Sequence, residues 1–308
     1  MLPTVFKSKL PPPYPNLNNI PNSTEALFLP QHPSTPPRIL VFNSGIGGLS
    51  IWQKIHERLP NAELLYCSEN AFFPYGTKAD ELLIQRLGNI LLHLEQHYHP
   101  NMMVVACNTA STVALPHIRA KLSCPVVGVV PAIKPAAAHS QSKVIGLIAT
   151  PATVQRAYTQ QLIQDFAKEC TVISVGSSEL VLAAEAKLRG ETPNAALIQH
   201  IIDELMAHPD ASQLDTIVLG CTHFPFLQDE LAAHCCNPIP FFNPVTFIDS
   251  GEAIAKRVMS LVEVSSAIQP TTHRAIFTQE KDDIHQLIPT LKRFGLHTID
   301  FIPTATKF

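Results

Sequence analysis

The sequence predicts an α/β protein of two pseudo-symmetric lobes, each a mainly parallel sheet flanked by helices, with the active site in the cleft between them. Three observations carry this. Short apolar runs such as Ile39-Leu40-Val41-Phe42 are followed by amphipathic helical stretches, the pattern of a parallel sheet buried on both faces. The series strand, small-residue turn, helix occupies residues 39 to 59 and starts again at Val144-Ile145-Gly146-Leu147-Ile148-Ala149. Each half then reaches an apolar run that ends on a cysteine, Val104-Val105-Ala106-Cys107 and Ile217-Val218-Leu219-Gly220-Cys221.

Taken in order, residues 1 to 37 are dense in proline, including Pro11-Pro12-Pro13 and Pro36-Pro37, and read as an extended arm, because proline removes backbone donors and turns its predecessor away from helix. From Arg38 the texture changes. The first strand runs into Asn43-Ser44-Gly45-Ile46-Gly47-Gly48, and Leu49, Trp52, Ile55 and Leu59 follow at helical spacing. The turn lacks the last glycine of a dinucleotide fingerprint, so it does not read as a nucleotide site. Glu63-Leu64-Leu65-Tyr66-Cys67 is the next strand, leading to the loop that holds Pro74-Tyr75-Gly76. Asp80 to His99 places Leu83, Leu87, Ile90, Leu91, Leu94 and Tyr98 on one face of a covering helix. After the Cys107 strand and its helix, Pro125 to Val130 is a further strand. In the second half, Thr150-Pro151-Ala152-Thr153 opens a helix as Asn43-Ser44 does in the first. The expected first lobe comprises residues 38–133 with 243–308, and the second 134–242.

Composition excludes several functions. With 308 residues, 46% of them hydrophobic, the chain buries a sizeable core, and a net charge of −3 gives no basic footprint for nucleic acid. No apolar run approaches the roughly 20 residues of a membrane span, and the first 37 residues hold no continuous apolar signal region. Seven cysteines form neither a disulfide framework nor a zinc pattern, which suits a reducing, cytoplasmic setting. Cys67, Cys124 and Cys170 read as packing residues.

Cys107 and Cys221 differ, because each ends a strand and is followed by ligand-binding polar residues, Asn108-Thr109 and Thr222-His223. Helix starts and backbone N–H groups favour the thiolate. In open parallel sheets, ligands bind beyond the carboxyl ends of the strands. Two thiols facing one substrate suit inversion at an acidic carbon, one abstracting a proton and the other donating one to the opposite face. His223 stands two residues from Cys221, where it can polarise it.

Asn43-Ser44-Gly45-Ile46-Gly47-Gly48, Pro74-Tyr75-Gly76, Cys107-Asn108-Thr109-Ala110-Ser111, Gly128 to Pro135 and Gly220-Cys221-Thr222-His223-Phe224-Pro225 resemble, in this order, the motifs of the glutamate racemases. The similarity runs from about Arg38 to about Val258. It implies a racemase without cofactor or metal that interconverts L- and D-glutamate for peptidoglycan. It implies Cys221 as the base for L-glutamate, Cys107 as the base for the D-enantiomer, and His223 assisting Cys221 with Glu185 as its orienting carboxylate. Asn43, Ser44, Pro74, Tyr75, Gly76, Asn108, Thr109, Thr150, Thr222 and His223 would form the substrate site. The arm resembles that of longer members activated by a UDP-linked peptidoglycan precursor. Neither a monomer nor a homodimer is favoured.

One position departs. The family has an aspartate where this chain has Asn43, which hydrogen-bonds but carries no charge. Either turnover on the Cys107 side is reduced, or Asp249 or Glu69 compensates. Asp249 also fits a helix cap. The alternative readings are an aspartate racemase of the same superfamily and a catalytically impaired ligand-binding or regulatory homologue.

Overall fold

A computed structural model describes residues 35–235, 244–262 and 272–302. Nearly all of the proline-rich arm, and Cys236, lie outside the described residues.

The chain begins with β1 (Arg38–Asn43), α1 (Leu49–Arg58), β2 (Glu63–Ser68), α2 (Asp80–Tyr98), β3 (Met102–Val105), α3 (Asn108–Lys121) and β4 (Val126–Gly128). It continues with α4 (Ile133–His139), β5 (Val144–Ala149), α5 (Pro151–Gln155), α6 (Ala157–Phe166), β6 (Thr171–Gly176), α7 (Glu179–Leu188), α8 (Ala195–Met206), β7 (Thr216–Leu219), α9 (Gln228–Cys235) and β8 (Thr246–Ile248). The last elements are α10 (Gly251–Met259), β9 (Arg274–Phe277), α11 (Ile284–Arg293) and β10 (Thr298–Phe301).

Two parallel sheets result, in the orders β10-β9-β2-β1-β3-β4 and β6-β5-β7-β8. Their near-continuous apolar strands follow from burial on both faces. In β1 the side chains alternate: Ile39 and Val41 pack in a core with Trp52, Ile55, Val258 and Leu291, whereas Leu40 and Phe42 join Leu83, Leu87, Leu91 and Ile118. The second sheet is likewise covered twice, by α7, α8 and α9 on Ile173, Ile217 and Leu219, and by α4 and α6 on Ile145, Leu147 and Val218. α2 follows its sequence pattern and stops where His99 takes a left-handed conformation at φ 45°.

The expected domain boundary at 243 needs correction. Thr246, Phe247 and Ile248 pair in parallel with Thr216, Ile217 and Val218, so this strand extends the second sheet. The exposed edge of β7 offers it a ladder of backbone partners. The chain crosses back at Asp249–Ser250, and α10 then packs beside α1. The two crossings touch, because the Ser250 hydroxyl donates to the Val130 carbonyl at 2.6 Å.

Register brings the functional turns together. Asn43 is level with Ser68, and Phe42 with Val105, so Ser44 and Cys107 leave the first sheet side by side. Ile148 is level with Leu219, and Ala149 with Gly176, so Thr150, Ser178 and Cys221 leave the second sheet together.

Candidate active site

A small cavity of about 120 Å³ lies where the carboxyl ends of both sheets meet. Ser44, Pro74, Tyr75, Gly76, Cys107, Asn108, Thr109, Thr150, Thr222 and His223, all expected from the sequence, line it with Cys221. Phe73, Thr77, Ser178, Val181 and Leu182 also line it. Ser178 had a local signal, a serine just before a helix. The other four come from loop and helix positions that carry no motif.

Among the described residues, the lining contains no lysine or arginine. Positive potential comes instead from the helix starts: Cys107 is the N-cap of α3 and Ser178 that of α7, and first-turn N–H groups attract anions. The buried side-chain nitrogen of Asn108 has no hydrogen-bond partner among the described residues. A cavity this small, ringed by donors and two thiols, fits a small anionic molecule better than the 300–1,000 Å³ occupied by drug-sized ligands.

The two thiols have different surroundings. The Cys107 sulfur lies 3.7 Å from the Ser44 hydroxyl. Burial pushes this thiol up, against the opposing pull of the Ala110 N–H and Ser44. The expectation that the helix start lowers it is thus corrected: here desolvation outweighs the dipole. Cys221 lies 3.7 Å from His223 Nδ1, and His223 Nε2 lies 2.9 Å from Glu185 Oε1. Burial alone would lower His223, but the hydrogen bonds to Cys221 and Glu185 prevail and raise it to about 9. Burial works to raise Glu185, and His223, the Ile46 N–H and Arg189 together hold it below the ordinary carboxylate range. The raised imidazole and the lowered carboxylate favour a charged pair, with Nε2 facing Glu185 Oε1 and Nδ1 facing the sulfur.

The glycine turn after β1 serves this pair. The Ile46 N–H donates to Glu185 Oε1 at 2.8 Å, and Gly47 N approaches His223 Nε2 at 3.2 Å. A Cβ at Gly45 would overlap Glu185 Oε1, and one at Gly47 would overlap the imidazole. Both glycines are needed so that the first lobe's backbone can reach these two side chains of the second.

Asn43 is fully buried and lies behind the cavity rather than in its lining. Its Oδ1 accepts from Gly45 N–H at 2.8 Å, and its Nδ2 donates to Thr222 Oγ1 at 3.1 Å and to the Ala106 carbonyl. It ties the Cys107 and Cys221 turns to each other. Glu69 is committed elsewhere, accepting from the Tyr75 hydroxyl at 2.6 Å and from Arg86. Asp249 Oδ1 accepts from Gly251 N–H at 2.6 Å, the local turn role. Neither carboxylate is hydrogen-bonded to Asn43. The Tyr75 hydroxyl is therefore engaged by Glu69, and the rest of that residue faces the cavity. Away from the site, Cys67 is fully buried, and burial holds its thiol well above the ordinary range. Burial and Glu95 push Cys124 up to about 12.

The pattern of the Asp/Glu/Hydantoin racemase family matches residues 39–258. Curated glutamate racemases from Salmonella enteritidis and Klebsiella pneumoniae are each 43% identical over 274 residues, covering 88% of this chain and 94% of theirs. The crystal structure of Escherichia coli glutamate racemase, in complex with L-glutamate and the activator UDP-MurNAc-ala, superposes with a TM-score of 0.78 at 40% identity. The match covers 87% of this chain and 98% of that one. The chain belongs to the Asp/Glu/Hydantoin racemase family, and within it to the group of the glutamate racemases.

Proposed function

We propose that the protein interconverts L- and D-glutamate by proton transfer between two cysteines, without a cofactor, and supplies D-glutamate for peptidoglycan. The observation that carries this reading is the pairing of Cys107 and Cys221 on one small cavity, each brought by the strand end of a different sheet. Glutamate is the ligand bound by the Escherichia coli relative, and the helix starts of α3 and α7 suit its carboxylates.

With L-glutamate bound, the Cys221 thiolate takes the α-proton, and the electron pair is held on the α-carbon and its carboxylate. The Cys107 thiol then gives its proton to the opposite face, which leaves the D-enantiomer, a Cys221 thiol and a Cys107 thiolate. The reverse reaction uses the same steps in the opposite order. His223, anchored by Glu185, faces the Cys221 sulfur and is placed to exchange its proton during the transfer. Asn108, Thr109 and Thr222 orient the substrate, while Asn43 links the two cysteine turns.

The test is incubation of the full chain with L-glutamate in deuterated water. Racemisation should remove the optical rotation and bring deuterium to the α-carbon. Cys107→Ser and Cys221→Ser should each abolish racemisation. Binding without exchange would favour the impaired homologue, motivated by Asn43, and faster turnover of aspartate would favour an aspartate racemase. Stimulation by pyridoxal phosphate would refute the cofactor-free mechanism.

We extend regulation by a UDP-linked peptidoglycan precursor to this chain, because the Escherichia coli relative binds such an activator. The arm of residues 1 to 37 is proposed to help form or couple that site. Unchanged basal and precursor-stimulated rates after its deletion would refute this.

A further inference from the structure

We propose that Arg189 and Asp283 form a clasp between the lobes that positions Glu185, and through it His223, for proton transfer at Cys221. The inference rests on the racemase reading and concerns two residues outside the cavity lining.

Glu185 and Arg189 lie one turn apart, at the end of α7, where side chains four residues apart meet. One Arg189 nitrogen is 3.1 Å from Glu185 Oε2, and Nε is 3.2 Å from Asp283 Oδ2, both ion pairs by proximity, with Nε lacking hydrogen-bond geometry to any described residue. Asp283 is the residue before α11, an element of the first lobe, whereas α7 belongs to the second. A hydrogen bond lies alongside this ion pair, since Thr290 of α11 donates to the Leu188 carbonyl at 2.7 Å. The first lobe therefore grips the end of α7 at two points.

The two oxygens of Glu185 divide the work. Oε1 is hydrogen-bonded to His223 and the Ile46 N–H, and Oε2 faces the Arg189 guanidinium as an ion pair. The guanidinium attracts Oε2 to its own side, which favours the orientation that aims Oε1 at the imidazole. Arg189 acts through Glu185 and is a positioning residue. The Arg189–Asp283 ion pair and the Ile46 bond both join the two lobes, so parting the lobes removes the Ile46 bond from Glu185 and frees Arg189 from its second anchor. The positioning of Glu185 is complete only when the lobes are together. The titratable and charged groups that face this assembly are His223, Cys221, Tyr66, Asp283, Lys281 and Glu191.

The experiment compares the full-length chain with Arg189→Met, Arg189→Lys and Asp283→Asn. Turnover of L-glutamate is measured against pH, and the Glu185 carboxyl is followed by ¹³C NMR without substrate, its signal assigned with Glu185→Gln. Arg189→Met should lower kcat on the order of tenfold, a fraction of the 10²- to 10⁴-fold that a positioned acid or base supplies, with KM within about twofold. The Glu185 midpoint and the acid limb of kcat should both move to higher pH, because a cation that favours the ionised carboxylate has been removed. Arg189→Lys should restore both midpoints and most of kcat. Asp283→Asn should lower kcat several-fold with the midpoints in place, since the guanidinium charge remains. An unmoved Glu185 midpoint in Arg189→Met would overturn the proposal, as would Arg189→Lys behaving like Arg189→Met. The NMR titration reads the clasp even if the wild-type chain fails to racemise glutamate, so the two proposals fail separately.

Discussion

Replacing Glu185 by glutamine keeps the shape of the side chain and removes its charge, which isolates what the carboxylate does for His223. Raising an imidazole from its ordinary 6.5 to about 9 corresponds to roughly 3 kcal/mol. Burial acts against that rise, so the hydrogen bonds from Cys221 and Glu185 supply more than the net amount. A charge-assisted bond is about twice as strong as a neutral one, so the amide forfeits on the order of 1–1.5 kcal/mol. His223 should then titrate about one pH unit lower. The sign for stability follows from linkage. A group raised in the folded state contributes fully below its unfolded pKa, and that contribution is lost as pH rises through the folded value. The wild-type Tm should therefore fall between about pH 6.5 and 9, and the fall should end about one unit earlier in Glu185→Gln. Saturating turnover of L-glutamate should drop on the order of tenfold or more as His223, the partner of Cys221, loses its charged anchor. Enantiomers have equal free energy, so kcat/KM is the same in both directions for every variant. The asymmetry appears in kcat and KM taken separately, and in a larger isotope effect with α-deuterated L-glutamate. Calorimetry from pH 6 to 10 and rates from both enantiomers test this. A Tm profile and isotope effects identical to wild type would refute the assigned role of Glu185.

Gly47→Ala should lower kcat sharply and cost about 1–3 kcal/mol, because its Cβ overlaps the imidazole; unchanged turnover would show that the ring moves freely. Gly88→Ala is the contrasting case. In the middle of α2 its Cβ meets chiefly the mobile end of Lys121, so thermal unfolding should show neutrality or a gain of up to about 1 kcal/mol. Asn43→Asp should raise saturating D-to-L turnover, and chiefly at higher pH. Burial and the facing Ala106 carbonyl keep a carboxyl there protonated at lower pH, and a ratio of forward to reverse kcat equal to wild type across the range would refute this. Tyr75→Phe should release Glu69 from one partner and raise KM more than it lowers kcat, measured with either enantiomer.

The strands, the covering helices and both cysteine turns were legible in the sequence, because each is specified by neighbours a few residues away. Ile39 to Phe42 alternate between two cores, and α2 repeats its apolar residues at helical spacing. The parallel architecture followed, and with it the carboxyl-end location of the site. The sheet membership of Thr246–Ile248 was not legible, since a three-residue strand takes its partner from whichever edge lies open. Phe73, Val181 and Leu182 reach the cavity by tertiary placement alone.

The sequence by itself singled out Cys107, Cys221 and His223, which line one cavity, and two similar α/β halves that present them. Only the tertiary structure decided their electrostatics. Desolvation raises Cys107 although a helix starts beside it, and Glu185, thirty-eight residues from His223, fixes that histidine's charge. It also explained Gly45 and Gly47, whose lack of a Cβ lets one lobe's backbone touch Glu185 and His223 of the other. Periodicity records which face of an element is buried, but it carries no record of what a distant segment places against that face.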